Sequence, residues 1–223
     1  MRQLALSLAE PPLPSLDNFV QGRNVELISV LSALANGEQS ERFIYVWGVH
    51  GCGKTHLMKA MCLAFERRSV AVAMFSSEDA QTEIASCEVV LADDVDQLTD
   101  VGQQGLFNIY NRQRDGGGVL IAAGTVPPAR LPLRSDLVTR LGWGLVYQIH
   151  TLSDDEKMAA MIEHAHARGF GLTREVIDYL LKRQARDLPG LLTILDALDR
   201  YSLENKRAVT IPLVRELLSD PKE

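Results

Sequence analysis

The sequence predicts an α/β fold, a five-stranded parallel sheet between helices, followed by a small all-α domain. Three observations predict it. Short apolar runs alternate with amphipathic helix-length segments as far as Ile149, the pattern of repeated βα units. A glycine-rich turn joins the first of those runs to the helix after it. Beyond Ser153 no strand-like run appears, only helical spacing.

After the proline-rich lead with Pro11, Pro12 and Pro14, Val25, Ile28, Leu31 and Leu34 stand at helical spacing, so a first helix is expected from Asn24 to Leu34. Phe43–Trp47 reads as the first strand and 55–67 as the next helix. Val70–Phe75 is short, apolar and partly β-branched, as a strand buried on both faces should be. Cys87–Ala92 is expected as the third strand, 103–114 as a helix, Val119–Ala123 as the fourth strand opened by Gly116-Gly117-Gly118, and Leu145–Ile149 as the fifth. Helices are expected over 154–168, 173–185 with Thr173 as N-cap, and 188–205. In the last, Leu188, Leu191, Leu192, Leu195 and Leu198 form one apolar stripe, with Asp196, Asp199 and Arg200 away from it. The expected domains are 1–15, an N-terminal binding peptide and linker; 16–152, the sheet domain; and 153–223, the helical domain.

Composition narrows the function classes. With 223 residues, 46% hydrophobic and 23% charged, the chain has the make-up of a globular protein with a substantial core. No apolar run approaches the roughly 18 residues that cross a bilayer, and no secretory signal stands at the N-terminus, so a cytoplasmic protein without a membrane partner is expected. A net charge of −6 and a pI near 5.4 argue against a broad surface for duplex DNA. Cys52, Cys62 and Cys87 lack metal-ligand spacing and read as reduced core thiols.

The chemistry centres on Gly48-Val49-His50-Gly51-Cys52-Gly53-Lys54-Thr55, a complete P-loop pattern between an apolar strand and a helix. Glycines let backbone N–H groups face a polyphosphate, the helix start adds positive potential, Lys54 supplies a point charge, and Thr55 can ligate magnesium. Gly48, His50, Gly51, Cys52, Gly53, Lys54, Thr55 and the adjoining His56 are therefore the expected nucleotide-binding set. Asp93 and Asp94 end a buried strand, where parallel sheets gather their ligand sites. Asp93 is expected to hold Mg2+ with Thr55, and Asp94 to orient or activate an attacking water.

At these residues the chain resembles the AAA+ ATPases and, within them, the DnaA family of bacterial replication-initiation proteins. The similarity lies in Leu16-Asp17-Asn18-Phe19-Val20-Gln21-Gly22, in Trp47 to Leu57, in Ala92-Asp93-Asp94-Val95 and in Arg140-Leu141-Gly142-Trp143-Gly144-Leu145, in that order along nearly the whole chain. The resemblance implies an AAA+ core with a helical lid and ADP or ATP as ligand. It also implies that Phe19, Val20 and Gly22 border the adenine, that Thr125 is the sensor after the fourth strand, and that Arg186 is the phosphate sensor of the lid. An arginine after the fourth strand can act as a finger toward a neighbour's γ-phosphate. Residue type alone leaves Arg140 and Arg134 open, and the resemblance points to Arg140.

Gln3-Leu4-Ala5-Leu6-Ser7-Leu8 looks like the short peptide by which bacterial proteins bind the replication sliding clamp (the β subunit), with Gln3, Leu4, Leu6 and Leu8 as contacts. An AAA+ core carrying that peptide, with no room left for a helix-turn-helix domain, is similar to the regulatory branch of the DnaA family. That similarity implies a clamp-tethered regulator that promotes hydrolysis of DnaA-bound ATP, so that DnaA and the clamp are the expected partners and a homodimer is conceivable. Two other readings stay open: an autonomous AAA+ ATPase or helicase loader, and an adaptor whose nucleotide is structural.

Overall fold

The computed structural model describes residues 13–75, 87–183 and 188–219. It divides into two compact units, Leu13–Thr151 and a second starting at Leu152.

The first unit contains α1 (Val25–Asn36), β1 (Phe43–Trp47), α2 (Lys54–Arg67), β2 (Val72–Phe75), β3 (Val89–Ala92), α3 (Asp100–Gly116), β4 (Val119–Gly124), α4 (Ser135–Leu141) and β5 (Leu145–Gln148). The strands form one sheet in the order β2-β3-β4-β1-β5, with every pairing parallel. Strand periodicity explains the three layers, because successive side chains point to opposite faces. Ile44, Val46, Val89, Leu91, Ile121 and Ala123 pack with Leu31 of α1 and Leu57 and Met58 of α2. Their neighbours Tyr45, Val90, Ala92, Leu120 and Ala122 pack on the other face with Leu106 and Ile109 of α3 and Leu137 of α4. Leu31, Leu57, Met58, Leu106 and Leu137 are fully buried, and each such side chain contributes about 1.5–3 kcal/mol.

In register, Trp47 lies beside Gly124 and Ala92 beside Ala122. The C-terminal ends of β1, β3 and β4 therefore sit side by side, and the loops that leave them share one edge of the sheet.

The second unit packs α5 (Asp154–Ala167), α6 (Arg174–Arg183), α7 (Leu188–Asn205) and α8 (Ile211–Ser219) around Met161, Ile177, Leu180, Leu191, Leu195, Leu198 and Val214. Ser153 opens α5 with a reciprocal cap: Glu156 N–H donates to Ser153 Oγ at 3.2 Å, and Ser153 N–H donates to the Glu156 carboxylate at 2.7 Å.

Several expectations change. α4 and α8 were not expected, since a seven-residue and a nine-residue helix each hold too few turns to show a period. β2 and β3 begin two residues later than the apolar runs suggest. Gly116 ends α3, and the left-handed Gly117 (φ 78°) caps it. Of the cysteines, Cys52 is in the core, while Cys62 and Cys87 are half-buried; all three are free. Asp196 and Asp199, expected off the packed side of α7, are 8% and 9% exposed. Asp196 accepts from Arg168 Nε at 2.8 Å and lies 2.6 Å from His164 Nε2, so α7 carries a polar seam toward α5 beside its leucine stripe.

Candidate nucleotide site

The P-loop joins β1 to α2. Lys54 is the first residue of α2 and is 5% exposed; its ammonium donates to Gly48 O at 2.9 Å and to Val49 O at 3.3 Å. The turn that aims the loop inward depends on Gly53, at φ 106°, where a Cβ would lie 2.7 Å from the ring of Phe19. Only glycine meets both demands. Phe19 thus lies against the P-loop, its ring centroid 5.7 Å from that of His56, whose Nε2 is 3.1 Å from Ser15 O.

The segment before α1 is held at both ends. Ser15 and Asn18 exchange hydrogen bonds, Ser15 N–H to Asn18 Oδ1 at 2.9 Å and Asn18 N–H to Ser15 Oγ at 3.1 Å. Gly22 then starts a 3-10 turn at φ 47°, and Asn24 ends it. Asn24 was expected to open the first helix. Its buried side chain instead donates to His150 O at 2.9 Å and accepts from His150 N–H at 2.7 Å, tying the start of α1 to the end of β5 across 126 positions of sequence. Val20 is half-buried in this segment, and His50 is exposed in the P-loop.

Opposite Lys54, the acids follow β3. Thr55 Oγ1 donates to Asp93 Oδ2 at 2.7 Å, so the P-loop hydroxyl and the strand-end carboxylate meet directly. A hydroxyl and a carboxylate side by side form the oxygen donor set that magnesium accepts. Asp94 has a left-handed backbone (φ 46°) and its N–H donates to Asp93 Oδ1 at 3.0 Å. Burial, then the adjacent Asp93 carboxylate, push the Asp94 carboxyl above its usual range, which suits a group that shares or accepts a proton.

Thr125 follows β4, but Asp96 engages it: Thr125 Oγ1 donates to Asp96 Oδ2 at 2.7 Å and Thr125 N–H to Asp96 Oδ1 at 3.1 Å. Tyr45 donates to Val126 O at 2.8 Å beside them, its phenol pushed upward by burial and then by Asp96. Asp96 and Asn24 were not expected as site residues. The single signal for Asp96 is a third acid two places after Asp94; nothing local marks Asn24, because its partner is a distant main chain.

The two arginines part ways. Arg134 is exposed, with hydrogen bonds to Gln104 and to Asp136 at 2.9 Å. Arg140, in the last turn of α4, is half-buried with its Cζ 4.6 Å from the ring centroid of Phe107. Arg186 and the peptide residues Gln3, Leu4, Leu6 and Leu8 lie outside the described residues.

The fold is shared with solved replication proteins. DnaA from Aquifex aeolicus bound to AMPPCP matches with a TM-score of 0.71 at 27% identity, over 87% of this chain and 68% of that one. Domain III of Thermotoga maritima DnaA matches with a TM-score of 0.74 at 21% identity, over 94% and 98%. An uncharacterized protein of Haemophilus influenzae is 32% identical across 98% of this chain and 99% of its own length, and the family described as "Hda, lid domain" matches residues 154–218. The chain belongs to the Hda-like DnaA homologues. It is accordingly a DnaA-related replication regulator with an AAA+ core and a helical lid. Among the described residues of this Hda-like protein, no helix is long and apolar enough to cross a membrane.

Proposed function

We propose that this Hda-like protein holds an adenine nucleotide, ADP or ATP, in its P-loop and offers Arg140 to ATP held by DnaA, promoting hydrolysis there and so inactivating the initiator. Gln3, Leu4, Leu6 and Leu8 tether it to the sliding clamp, which raises the local concentration of Arg140 near DnaA.

The observation that carries the reading is the pairing of Thr55 with Asp93 at 2.7 Å beside the buried Lys54. A cation, a hydroxyl and a carboxylate thereby converge where parallel sheets bind ligands. The Aquifex aeolicus homologue, 27% identical, is bound to AMPPCP, an observation that supports a nucleotide here. Thr55 and Asp93 would hold Mg2+, which neutralises phosphate charge when bound. Phe19, Val20 and Gly22 would border the base, with Asn24 anchoring the segment that carries them.

For the finger, Arg134 is already neutralised by Asp136, whereas Arg140 is joined to no carboxylate among the described residues. An unneutralised guanidinium stabilises negative charge on a transferring phosphoryl group, and such a finger is worth on the order of 10³–10⁵ in rate.

The test combines DnaA loaded with radiolabelled ATP, clamp assembled on DNA, and this protein. Wild type should accelerate hydrolysis, Arg140→Ala should not, and both should bind ADP equally in calorimetry. Gln3→Ala/Leu6→Ala should lose clamp capture. Full stimulation by Arg140→Ala refutes the finger, and turnover of ATP by the chain alone favours an autonomous ATPase.

A further inference from the structure

We propose that Trp143 and Tyr110 are positioning residues for Arg140: with Phe107 they set aromatic rings against its guanidinium, so that an oriented and unneutralised cation is presented to the partner's nucleotide. This rests on the reading of Arg140 as the group that enters a neighbouring phosphate site.

Arg140 Cζ lies 4.6, 5.3 and 5.5 Å from the ring centroids of Phe107, Trp143 and Tyr110, all within the range of cation–π attraction. Nε is buried and, among the described residues, has no hydrogen-bond partner. A buried donor left without an acceptor is a cost that a nearby carboxylate would remove. A carboxylate would also cancel the charge and compete with a phosphate for the same donors. Ring faces attract the cation without doing either. The arrangement therefore fits a group kept ready for an anion from outside better than it fits an internal ion pair, the state of Arg134.

Tyr110 is the innermost of the supports. It is 3% exposed on α3, and its ring is 4.6 Å from Phe43 of β1 and edge-on to Trp143 at 6.5 Å. The main chain beside Trp143 is placed by Gly144: a Cβ there would lie 1.9 Å from Phe43 O, so the chain runs pressed against β1 at that point. The cavity bounded by Phe43, Tyr110, Arg140 and Leu141 is about 10 Å³, the size of a single water, and leaves the guanidinium no room to fold inward. Trp143 itself is 60% exposed, so substitution there leaves the core intact. A cation fixed before the encounter loses less freedom when it meets the phosphate, and displacement by an ångström costs catalysis heavily.

The experiment measures DnaA-bound ATP hydrolysis, with clamp on DNA, as a function of this protein's concentration, for wild type, Arg140→Ala, Trp143→Leu, Trp143→Phe and Tyr110→Phe. Thermal melting verifies folding. Trp143→Leu should lower the maximal rate about tenfold, the factor an interaction of this strength carries, with little change in the half-saturating concentration. Trp143→Phe and Tyr110→Phe, which keep a ring, should restore or retain most of it. An unchanged maximal rate for Trp143→Leu while Arg140→Ala is inactive overturns the positioning role alone. A raised half-saturating concentration at full maximal rate overturns it as well and makes Trp143 a docking residue. Full activity of Arg140→Ala instead removes the finger on which the proposal stands.

Discussion

Replacing Asn24 with alanine isolates a long-range tie that helps to shape the site. The wild-type side chain is 3% exposed and makes two hydrogen bonds with the main chain of His150, donating at 2.9 Å and accepting at 2.7 Å. Each bond contributes about 1 kcal/mol net, and His150 N–H and C=O, left half-buried, add a desolvation cost of up to about 1 kcal/mol apiece. The expected loss is about 2–4 kcal/mol. For a protein of this size it corresponds to a fall in Tm of about 5–12 °C, read by circular dichroism or calorimetry on the full chain. Asn24→Asp keeps the acceptor for His150 N–H but sets a buried carboxylate oxygen against the His150 carbonyl oxygen, so it should destabilise at least as much as alanine at neutral pH. Because α1 follows directly, ADP affinity should weaken in parallel with stability. A Tm within about 2 °C of wild type for Asn24→Ala would show that water replaces the amide at no cost and would refute the role given to this tie.

Three further perturbations have defined outcomes. Gly144→Ala sets a Cβ 1.9 Å from the Phe43 carbonyl oxygen, and backbone cannot yield as a flexible side chain does, so the urea midpoint should drop by the equivalent of about 3 kcal/mol. Asp196→Ala strips the acceptor from Arg168 and His164 in the lid unit; a loss of about 2 kcal/mol is expected in chemical denaturation, with Asp196→Asn milder. Asp94 has a raised carboxyl, so its ionised form is disfavoured in the folded chain: stability contributed by this residue is highest at acid pH and is lost as pH rises through the folded value. In EDTA and without nucleotide, Asp94→Asn should therefore melt higher than wild type at neutral pH, with the gap closing as pH falls below the ordinary carboxylate range. A gap that widens toward acid would contradict the sign.

Periodicity and local motif placed every strand, because a buried parallel strand is a short apolar run wherever its neighbours lie, and a P-loop is defined by consecutive residues. The same local signals make Lys54, Thr55, Asp93 and Asp94 candidates for one site, and the geometry brings Thr55 against Asp93. α4 and α8 escaped because so few turns do not establish a period. The buried acids of α7 escaped because a carboxylate reads as solvent-facing until its partners, His164 and Arg168 on another helix, are known.

What the chain order determined by itself was the αβ alternation, the glycine-rich P-loop pattern between β1 and α2 and the acids after β3, all of which depend on neighbours within a few positions. Tertiary structure alone decided the rest: the order β2-β3-β4-β1-β5, the Asn24 clasp on His150, the Asp96 hold on Thr125, and the aromatic setting of Arg140. The Asn24–His150, Asp96–Thr125 and Phe107–Arg140 contacts join residues from 29 to 126 positions apart whose only common feature is the place to which the sheet carries them. Hydrogen bonds and cation–π contacts act over a few ångströms of space, and distance along the chain does not report that separation.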